Sequence, residues 1–412
     1  MQFSGSPIQT DRNPALVQLE NSRRILLLQG PVGPFFDRLT CWLQTHKTQV
    51  HRIVFQGGDL YDTKAIKPEI YRGTLDDWPA YLSEIVERLQ IDCLVMFGQS
   101  RKYHAKARVH AKKIGLPTVV LEEGYFRPGF ITMELGGVNG YSTTMARYNW
   151  QQPATSGIRS DGSRWHFQSM AWHASMHYIA MRRHAGEFPH YEHHRNENPF
   201  HYASYWLRSW RRKIMISKVD HRFQKSLFKT AQAYFFVPLQ HDGDAQITHH
   251  SPFERNANFI TEVLHSFAKY AAAGAWLIFR QHPHSRGGPG HTQLIYGLAE
   301  KLNIRARVHH MTEGETPDLA ERSNGVVLIN STVGLQAIER GAPLMVMGDA
   351  LYKQDGLAFR GELNDFWMQA RPPVKALALK FLAEIKNLTQ APASVYANSK
   401  QLLRWTHPSS PK

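Results

Sequence analysis

Along the chain, short apolar runs rich in β-branched residues alternate with segments whose apolar positions recur at helical spacing. In the first half the runs lie at 24–29 (RILLLQ), 50–55, 91–97 (IDCLVMF) and 118–121, with helical pattern at 35–45 and 75–89. The second half repeats the alternation: runs at 234–240, 276–280, 305–309, 325–329 and 344–347, helical pattern at 258–273, 316–320 and 333–340. Short continuous apolar runs fit parallel strands covered on both faces, and their alternation with helices predicts an open parallel sheet in each half. The expected fold class is α/β, with two facing Rossmann-like domains and a cleft between them. In such sheets ligands gather at the carboxyl ends of strands, where Gln29, Gln56, Gly98 and Glu122 fall.

The pattern divides the chain into a flexible leader at 1–23, a first domain at 24–230 and a second at 231–392. A C-terminal helix within 393–412, centred on 394–405, is expected to pack back on the first domain. No fixed-period repeat is present, which argues against a solenoid. The turn at 30–34 (GPVGP) follows the first strand but has neither G-x-G-x-x-G spacing nor a G-K-[ST] ending. A dinucleotide or nucleoside triphosphate site there is therefore not expected, and two prolines make the turn stiff.

The stretch 324–367 carries the clearest anion chemistry. A buried run at 325–329 meets Asn330-Ser331-Thr332 where a helix begins, Gly334 lies in the first turn, and Gly341 with Pro343 ends the helix. Unpaired N–H groups of a first turn attract phosphate, and the two hydroxyls add donors. An ordinary N-cap fits the same letters. Two further signals lie nearby in sequence. His282-Pro283 ends the 276–280 run, where a histidine can bond a phosphate oxygen or protonate a leaving group. Asp318 or Glu315 can accept from a ribose hydroxyl. Together these suit a sugar-nucleotide monophosphate that needs no metal.

Residues 150–230 break the alternation and are rich in histidine, with His173 and His177 at i, i+4 spacing. Without H-E-x-x-H or an acidic third ligand, packed or solvated histidines fit better than a metal site. Segment 205–229 interleaves Trp206 and Trp210 with Arg211, Arg212, Lys213 and further cations against the single acid Asp220. That make-up fits a basic amphipathic helix in an anionic membrane interface, and equally a surface connector whose tryptophans pack inward.

Composition is that of a globular chain: 412 residues, 42% hydrophobic and 20% charged. No run approaches the ~18 apolar residues of a membrane span, and the leader lacks an apolar signal core. Two cysteines, Cys41 and Cys93, suit a reducing cytosol and exclude a Cys-based zinc site. The net charge of +15 calls for an anionic partner. No nucleic-acid-binding motif is present, so nucleic acid is not an expected partner.

The motifs LLLQGPVGPFF (26–36), FQGGD (55–59), FGQSRKYHAKA (97–107), LEEGYFRPGFITMELGGVNGYS (121–142), VPLQHDGDAQITHHSPF (237–253), RQHPHSRG (280–287) and the run from LINSTVGL to LNDFW resemble the capsular polysaccharide biosynthesis family, in its KpsS/LipB-type β-Kdo transferase branch. The resemblance covers nearly all of the chain after residue 24. It implies a GT-B-like glycosyltransferase of Gram-negative bacteria, cytoplasmic and peripheral on the inner membrane, with no cofactor. Such an enzyme takes Kdo from CMP-β-Kdo to a phosphatidylglycerol-type lipid, starting the oligo-β-Kdo linker of capsule exported by an ABC transporter. Other capsule assembly and export proteins are implied partners.

By the same resemblance, His282-Pro283 and Ser331-Thr332 match CMP-binding motifs, and Asp318, Asn330 and Gly334, read from the residues above, complete the expected donor site of the second domain. Gln29, Gly30, Arg101, His104 and Arg127 in the acceptor domain would touch acceptor or sugar. Related multi-Kdo transferases carry E-D-G-F where this chain has Glu122-Glu123-Gly124-Tyr125, which makes Glu123 the candidate catalytic carboxylate, with Glu122 and His282 beside it. A carboxylate there can be nucleophile or base, and both glutamates can instead cap and position the loop. Gln99 stands where an Asp is expected, and Arg280 where Lys is more usual. A non-catalytic export or scaffold protein of the same fold, and a CMP-sialic acid-dependent transferase, are the alternative functions.

Overall fold

The computed structural model describes residues 12–126, 129–144, 167–193, 199–242, 247, 250–282, 285–288 and 290–396. The chain divides after Arg195, and the segment from Ala383 onward returns to the first unit. Each unit is α/β and built on its own sheet, as the alternation of runs predicts.

The first sheet holds β1 (Arg24–Leu27), β2 (Gln49–Val54), β3 (Glu69–Ile70), β4 (Cys93–Phe97), β5 (Thr118–Glu123), β6 (Phe130–Leu135) and β12 (Gln390–Pro392), in the order β12-β6-β5-β4-β1-β2-β3. Pairings from β3 to β5 are parallel, while β6 and β12 add antiparallel strands at one edge. The second sheet holds β7 (Tyr234–Pro238), β8 (Trp276–Arg280), β9 (Val308–Met311), β10 (Gly325–Leu328) and β11 (Leu344–Val346), ordered β11-β10-β7-β8-β9 and parallel throughout. Both sheets therefore run 3-2-1-4-5 in their own strand sequence, the doubly wound nucleotide-binding order. In that order the crevice opens at the carboxyl ends of the first and fourth strands.

Aromatic side chains fill the layers. In the first unit Phe55, Tyr71, Trp78 and Tyr103 form an edge-to-face cluster, and Trp78 Nε1 donates to Tyr103 O at 2.9 Å. In the second, Phe235, Phe267, Phe366 and Trp367 do the same. Gly325 leaves the room: a Cβ there would lie 2.6 Å from Phe366. Burying each such ring contributes roughly 2–3 kcal/mol before its entropy cost.

Several expectations are corrected. The leader is not flexible throughout, because Pro14–Asn21 is a helix with Ala15, Leu16 and Leu19 buried. Asn13 caps it, accepting from Ala15 N and Leu16 N while its amide donates to Met133 O at 3.0 Å. The boundary lies after Arg195 rather than at 230. The basic segment, helical over Pro199–Thr230, belongs with the second unit because its buried face is tied there. Asp220 accepts Thr312 N and Glu313 N at 2.8 and 2.9 Å, and Gln224 accepts Glu315 N at 3.0 Å. β9 starts three residues later than its run, since residues 305–307 form a 3-10 turn. β6, within the 121–142 motif, is a strand. Residues 394–396 are not helical, and the rest of the expected terminal helix lies outside the described residues.

Glycines and histidines of the FQGGD motif and the 150–230 region prove to be partners. A Cβ on Gly58 would lie 2.6 Å from the His177 ring, and one on Gly57 2.5 Å from Ala180 O, so both glycines let the helix Phe167–Arg183 approach. His177 Nδ1–H donates to Asp62 at 2.7 Å, and its Nε2 accepts the Gln56 amide at 2.9 Å. His177 is thus packed and hydrogen-bonded within the protein.

Replacing Asn13 by Ala removes the cap at a cost of about 1 kcal/mol. Amides of residues 16–20 should then exchange hydrogen roughly fivefold faster by that same energy. Unaltered exchange there would show that the helix is held by packing alone.

Candidate active site

The crevice of the second sheet is bridged by two amide side chains. Gln240, two residues beyond β7, donates through Nε2 to Asn330 Oδ1 at 2.9 Å, and Asn330 N–H reaches Gln240 Oε1 at 3.3 Å. Asn330 Nδ2 donates onward to His250 O at 3.1 Å. The side chain expected to meet a nucleotide is therefore committed to the protein, and it fixes the strand ends that Ser331 and Thr332 extend. Gln240 was not singled out from the sequence as a site residue, although its place after a buried run was visible.

Ser331 and Thr332 sit where β10 gives way to the helix Val333–Glu339. Val333 N–H donates to Ser331 Oγ at 3.3 Å, whereas Thr332, at the N-cap position, makes no side-chain capping bond. Gly334 serves packing: a Cβ there would lie 2.4 Å from the Tyr352 ring. That close approach brings the Tyr352 hydroxyl onto Ser331 O, and burial raises its pKa. Tyr352 escaped the sequence reading because it lies in a loop without periodicity.

His282 follows β8, its ring edge-on to His241 with centroids 6.2 Å apart. Behind this pair His291 Nε2 donates to Asp242 at 2.8 Å, and this bond, with a second from the buried Asn256 amide, holds the Asp242 carboxyl below its usual range. Arg280, half-buried at the end of β8, has its pKa lowered by desolvation, with Glu313 and Glu315 acting to raise it. A guanidinium balanced by two acids explains the tolerance of Arg in place of Lys. Asp318 is exposed in the short helix Thr316–Glu321 and has no described contact with His282 or Ser331. Its electrostatic influence falls on Tyr234, at the start of β7. Pro283 lies outside the described residues.

The first unit presents its own crevice at β1 and β4. Gln29 donates to Asp59 at 2.8 Å and to the Tyr191 hydroxyl at 3.1 Å, and Arg101 donates to Gly30 O at 3.0 Å. Burial lowers the Arg101 pKa, with Asp59 and Tyr191 acting to raise it. His104 is corrected from ligand contact to support. Its ring is fully buried, Nδ1–H donates to Gly98 O at 2.6 Å, and Nε2 accepts Gln29 N–H at 3.2 Å. It staples the ends of β1 and β4 together. Asp59 and Tyr191 were missed because only the fold brings them to Gln29.

Glu122 and Glu123 end β5, and successive strand residues leave opposite faces of a sheet. They are therefore not a facing carboxylate pair. Glu122 is half-buried and accepts the Asn139 amide at 2.9 Å, while Glu123 is exposed. Gly124 allows the turn that follows, since a Cβ there would lie 2.2 Å from Phe130 O. Gln99 also finds its reason: its amide donates to Val138 O at 2.9 Å and accepts Val138 N–H at 3.0 Å. An ionised Asp is acceptor-only and could not make both bonds. Arg127 lies outside the described residues.

On the basic helix Pro199–Thr230, Trp210 is 62% exposed, with Ile214, Met215 and Val219 also in solvent beside Arg208, Arg211, Lys218, Arg222 and Lys225. Lys213 is exposed too, but Arg212 turns inward and donates to the carbonyls of Arg286 and Gly288. Arg212 is corrected from surface contact to loop anchor. The Trp206 side chain lies outside the described residues.

The family described as "Capsule polysaccharide biosynthesis protein" matches residues 92–396. The Escherichia coli capsule polysaccharide export protein KpsS is 32% identical over 385 residues, covering 93% of this chain and 99% of the relative. The capsule polysaccharide modification protein LipB of Neisseria meningitidis serogroup B is 32% identical over 392 residues, 92% of this chain and 93% of the relative. Among solved structures, the β-Kdo 2,7 transferase of Thermosulfurimonas dismutans KpsC aligns at TM-score 0.44 and 12% identity, over 92% of this chain and 95% of that one. Sharing nearly a third of its residues with full-length relatives, this chain belongs to the capsule polysaccharide biosynthesis protein family.

Proposed function

We propose that this chain is a glycosyltransferase of capsule synthesis that moves Kdo from CMP-β-Kdo to a phosphatidylglycerol-type lipid, beginning an oligo-β-Kdo linker. Family membership supports a role in capsule synthesis, and one observation supports nucleotide-sugar chemistry in particular. His282 and Ser331–Thr332, residue types suited to a single phosphate, lie at the carboxyl ends of β8 and β10 in a sheet of nucleotide-binding order.

The second unit holds the CMP-sugar. The Thr332 hydroxyl, which makes no capping bond, and the Ser331 backbone meet the phosphate, and His282 stabilises it as charge builds on the leaving group. The bond between the Kdo anomeric carbon and the phosphate oxygen breaks, and CMP leaves with the electron pair. Glu123 supplies the carboxylate at the anomeric carbon, as nucleophile in two steps or as base in one. The acceptor hydroxyl forms the new glycosidic bond and gives its proton to Glu123 in the one-step route, or to the cleaved CMP phosphate in the two-step route, where Glu123 leaves as the carboxylate. Gln29, Gly30 and Arg101 line the acceptor side in the first unit.

The exposed cations of Pro199–Thr230 face an anionic lipid surface in this proposal, each contributing about 1 kcal/mol near such a surface, with Trp210 and Ile214 entering the interface. No helix among the described residues is long and apolar enough to cross a membrane.

Product mass analysis with CMP-β-Kdo and CMP-sialic acid offered together, and phosphatidylglycerol as acceptor, should show one added Kdo. Transfer of sialic acid, or CMP release without lipid modification, would overturn the donor or the transferase assignment respectively. Glu123→Gln should lower kcat by about a hundredfold or more, and full turnover would remove it from catalysis. Combined replacement of Arg211, Lys218 and Arg222 by Gln should release the protein from phosphatidylglycerol vesicles in sedimentation by on the order of a hundredfold in affinity. Equal binding of the variant would move the lipid contact elsewhere.

A further inference from the structure

Beneath the end of β5 runs a chain of hydrogen bonds that the transferase proposal does not use. Glu134, on β6, is completely buried. Ser142 Oγ hydrogen-bonds its Oε2, and the Tyr125 hydroxyl donates to its Oε1 at 3.2 Å. The same Tyr125 oxygen accepts Asn139 N–H at 3.0 Å, and the Asn139 side-chain amide donates to Glu122 at 2.9 Å. Gln99 pins the adjoining residue, Val138, through its two-way amide pairing. A buried carboxyl is thus linked in three steps to the half-buried one at the strand tip.

Charge makes the arrangement selective. The groups acting on Glu134 are Ser142, Tyr125 and Glu122, none of them cationic, while the Arg108 guanidinium interacts electrostatically with Glu122 and donates to Gly136 O. Burial, with Glu122 adding to it, pushes the Glu134 carboxyl up to about 8, so it is neutral at pH 7. The neutral form keeps the chain intact, since each oxygen retains a lone pair with which to accept, Oε1 from Tyr125 and Oε2 from Ser142.

We propose that Glu134 and Tyr125 are positioning residues, whose hydrogen-bond chain through Asn139 fixes where the Glu122–Glu123 tip presents its carboxylates. This inference rests on the transferase function proposed above. Ionising Glu134 puts a second negative charge into a chain that already ends on Glu122, and burial gives that charge no water. Because the folded-state pKa lies above the ordinary carboxylate value, the stabilisation is complete below about 4.5 and is lost as pH rises through about 8. The tip should therefore loosen on the alkaline side.

The test uses the full chain with CMP-β-Kdo, phosphatidylglycerol acceptor and two variants. Tyr125→Phe keeps the ring and removes only the hydroxyl. It should lower kcat by roughly tenfold to a hundredfold, the scale of small misplacements of reacting groups, with donor KM within about twofold. The parent's kcat should fall between pH 7 and 9, and Glu134→Gln, neutral at every pH, should lose that fall. Hydrogen exchange of residues 136–142 is followed in parallel, independent of turnover. It should accelerate with rising pH in the parent, be fast at all pH in Tyr125→Phe, and be pH-flat beyond intrinsic chemistry in Glu134→Gln.

Wild-type kcat in Tyr125→Phe, or an unaltered alkaline limb in Glu134→Gln, would overturn positioning even if the loop exchanges as expected. A parent without transferase activity would sink the functional proposal alone. The exchange experiment would still decide the network, and protection in Tyr125→Phe equal to the parent's would overturn it.

Discussion

Loops leaving the carboxyl ends of parallel strands carry backbone N–H and C=O groups that the ladder no longer pairs. Each one buried without a partner costs about 1–3 kcal/mol. In this protein amide side chains meet that demand at several strand ends, while the Gln29 amide reaches the Asp59 and Tyr191 side chains instead. Gln29, Gln56, Gln99 and Gln240 each stand two residues past β1, β2, β4 and β7, Asn330 two past β10, and Gln281 one past β8. The five glutamines are all buried. An amide donates and accepts at once, so one side chain can hold a loop in both directions, as Gln99 does with Val138 and Gln240 with Asn330. A carboxylate could not do this without a proton. The two crevices keep their shape on that frame.

On that frame the polar groups at the strand ends take fixed places. In the second unit the Gln240–Asn330 bridge and the Gly334–Tyr352 contact fix the start of the helix Val333–Glu339, leaving Thr332 without a capping role. In the first unit the His104 staple holds β1 to β4, so Gln29 and Arg101 keep fixed places beside Asp59. At the end of β5, strand alternation gives Glu122 to the supporting network and leaves Glu123 exposed. Adjacent residues of one strand thus differ in burial, as side chains leaving opposite faces of a sheet do.

The basic helix shows the same economy on a larger scale. One face is anchored through Arg212, Asp220 and Gln224 to the loops after β8 and β9, and burial raises the Asp220 pKa despite two backbone N–H bonds. The opposite face keeps its cations and Trp210 in solvent. The inward turn of Arg212, between outward Arg211 and Lys213, follows from helical geometry. Neighbours in sequence diverge by 100° around the axis, so a run of cations cannot all serve one surface.

The amino-acid sequence alone determined the strand and helix alternation, the α/β class, and the strand-end positions of Gln29, Glu122, His282 and Ser331. Those follow from local periodicity and turn chemistry, which nearby residues carry. Tertiary structure decided what each polar group does. It turned Asn330 and His104 into braces and capped a helix in the supposed leader with Asn13. It also joined Glu134 to Glu122 through Tyr125 and Asn139. β12 was invisible for the same reason: three residues ending in proline make a strand only when β6, more than two hundred and fifty residues earlier (Gln390 opposite Thr132), offers its edge. A hydrogen-bond partner far away in the chain leaves no mark on local pattern, and burial of a polar side chain is set by what packs over it.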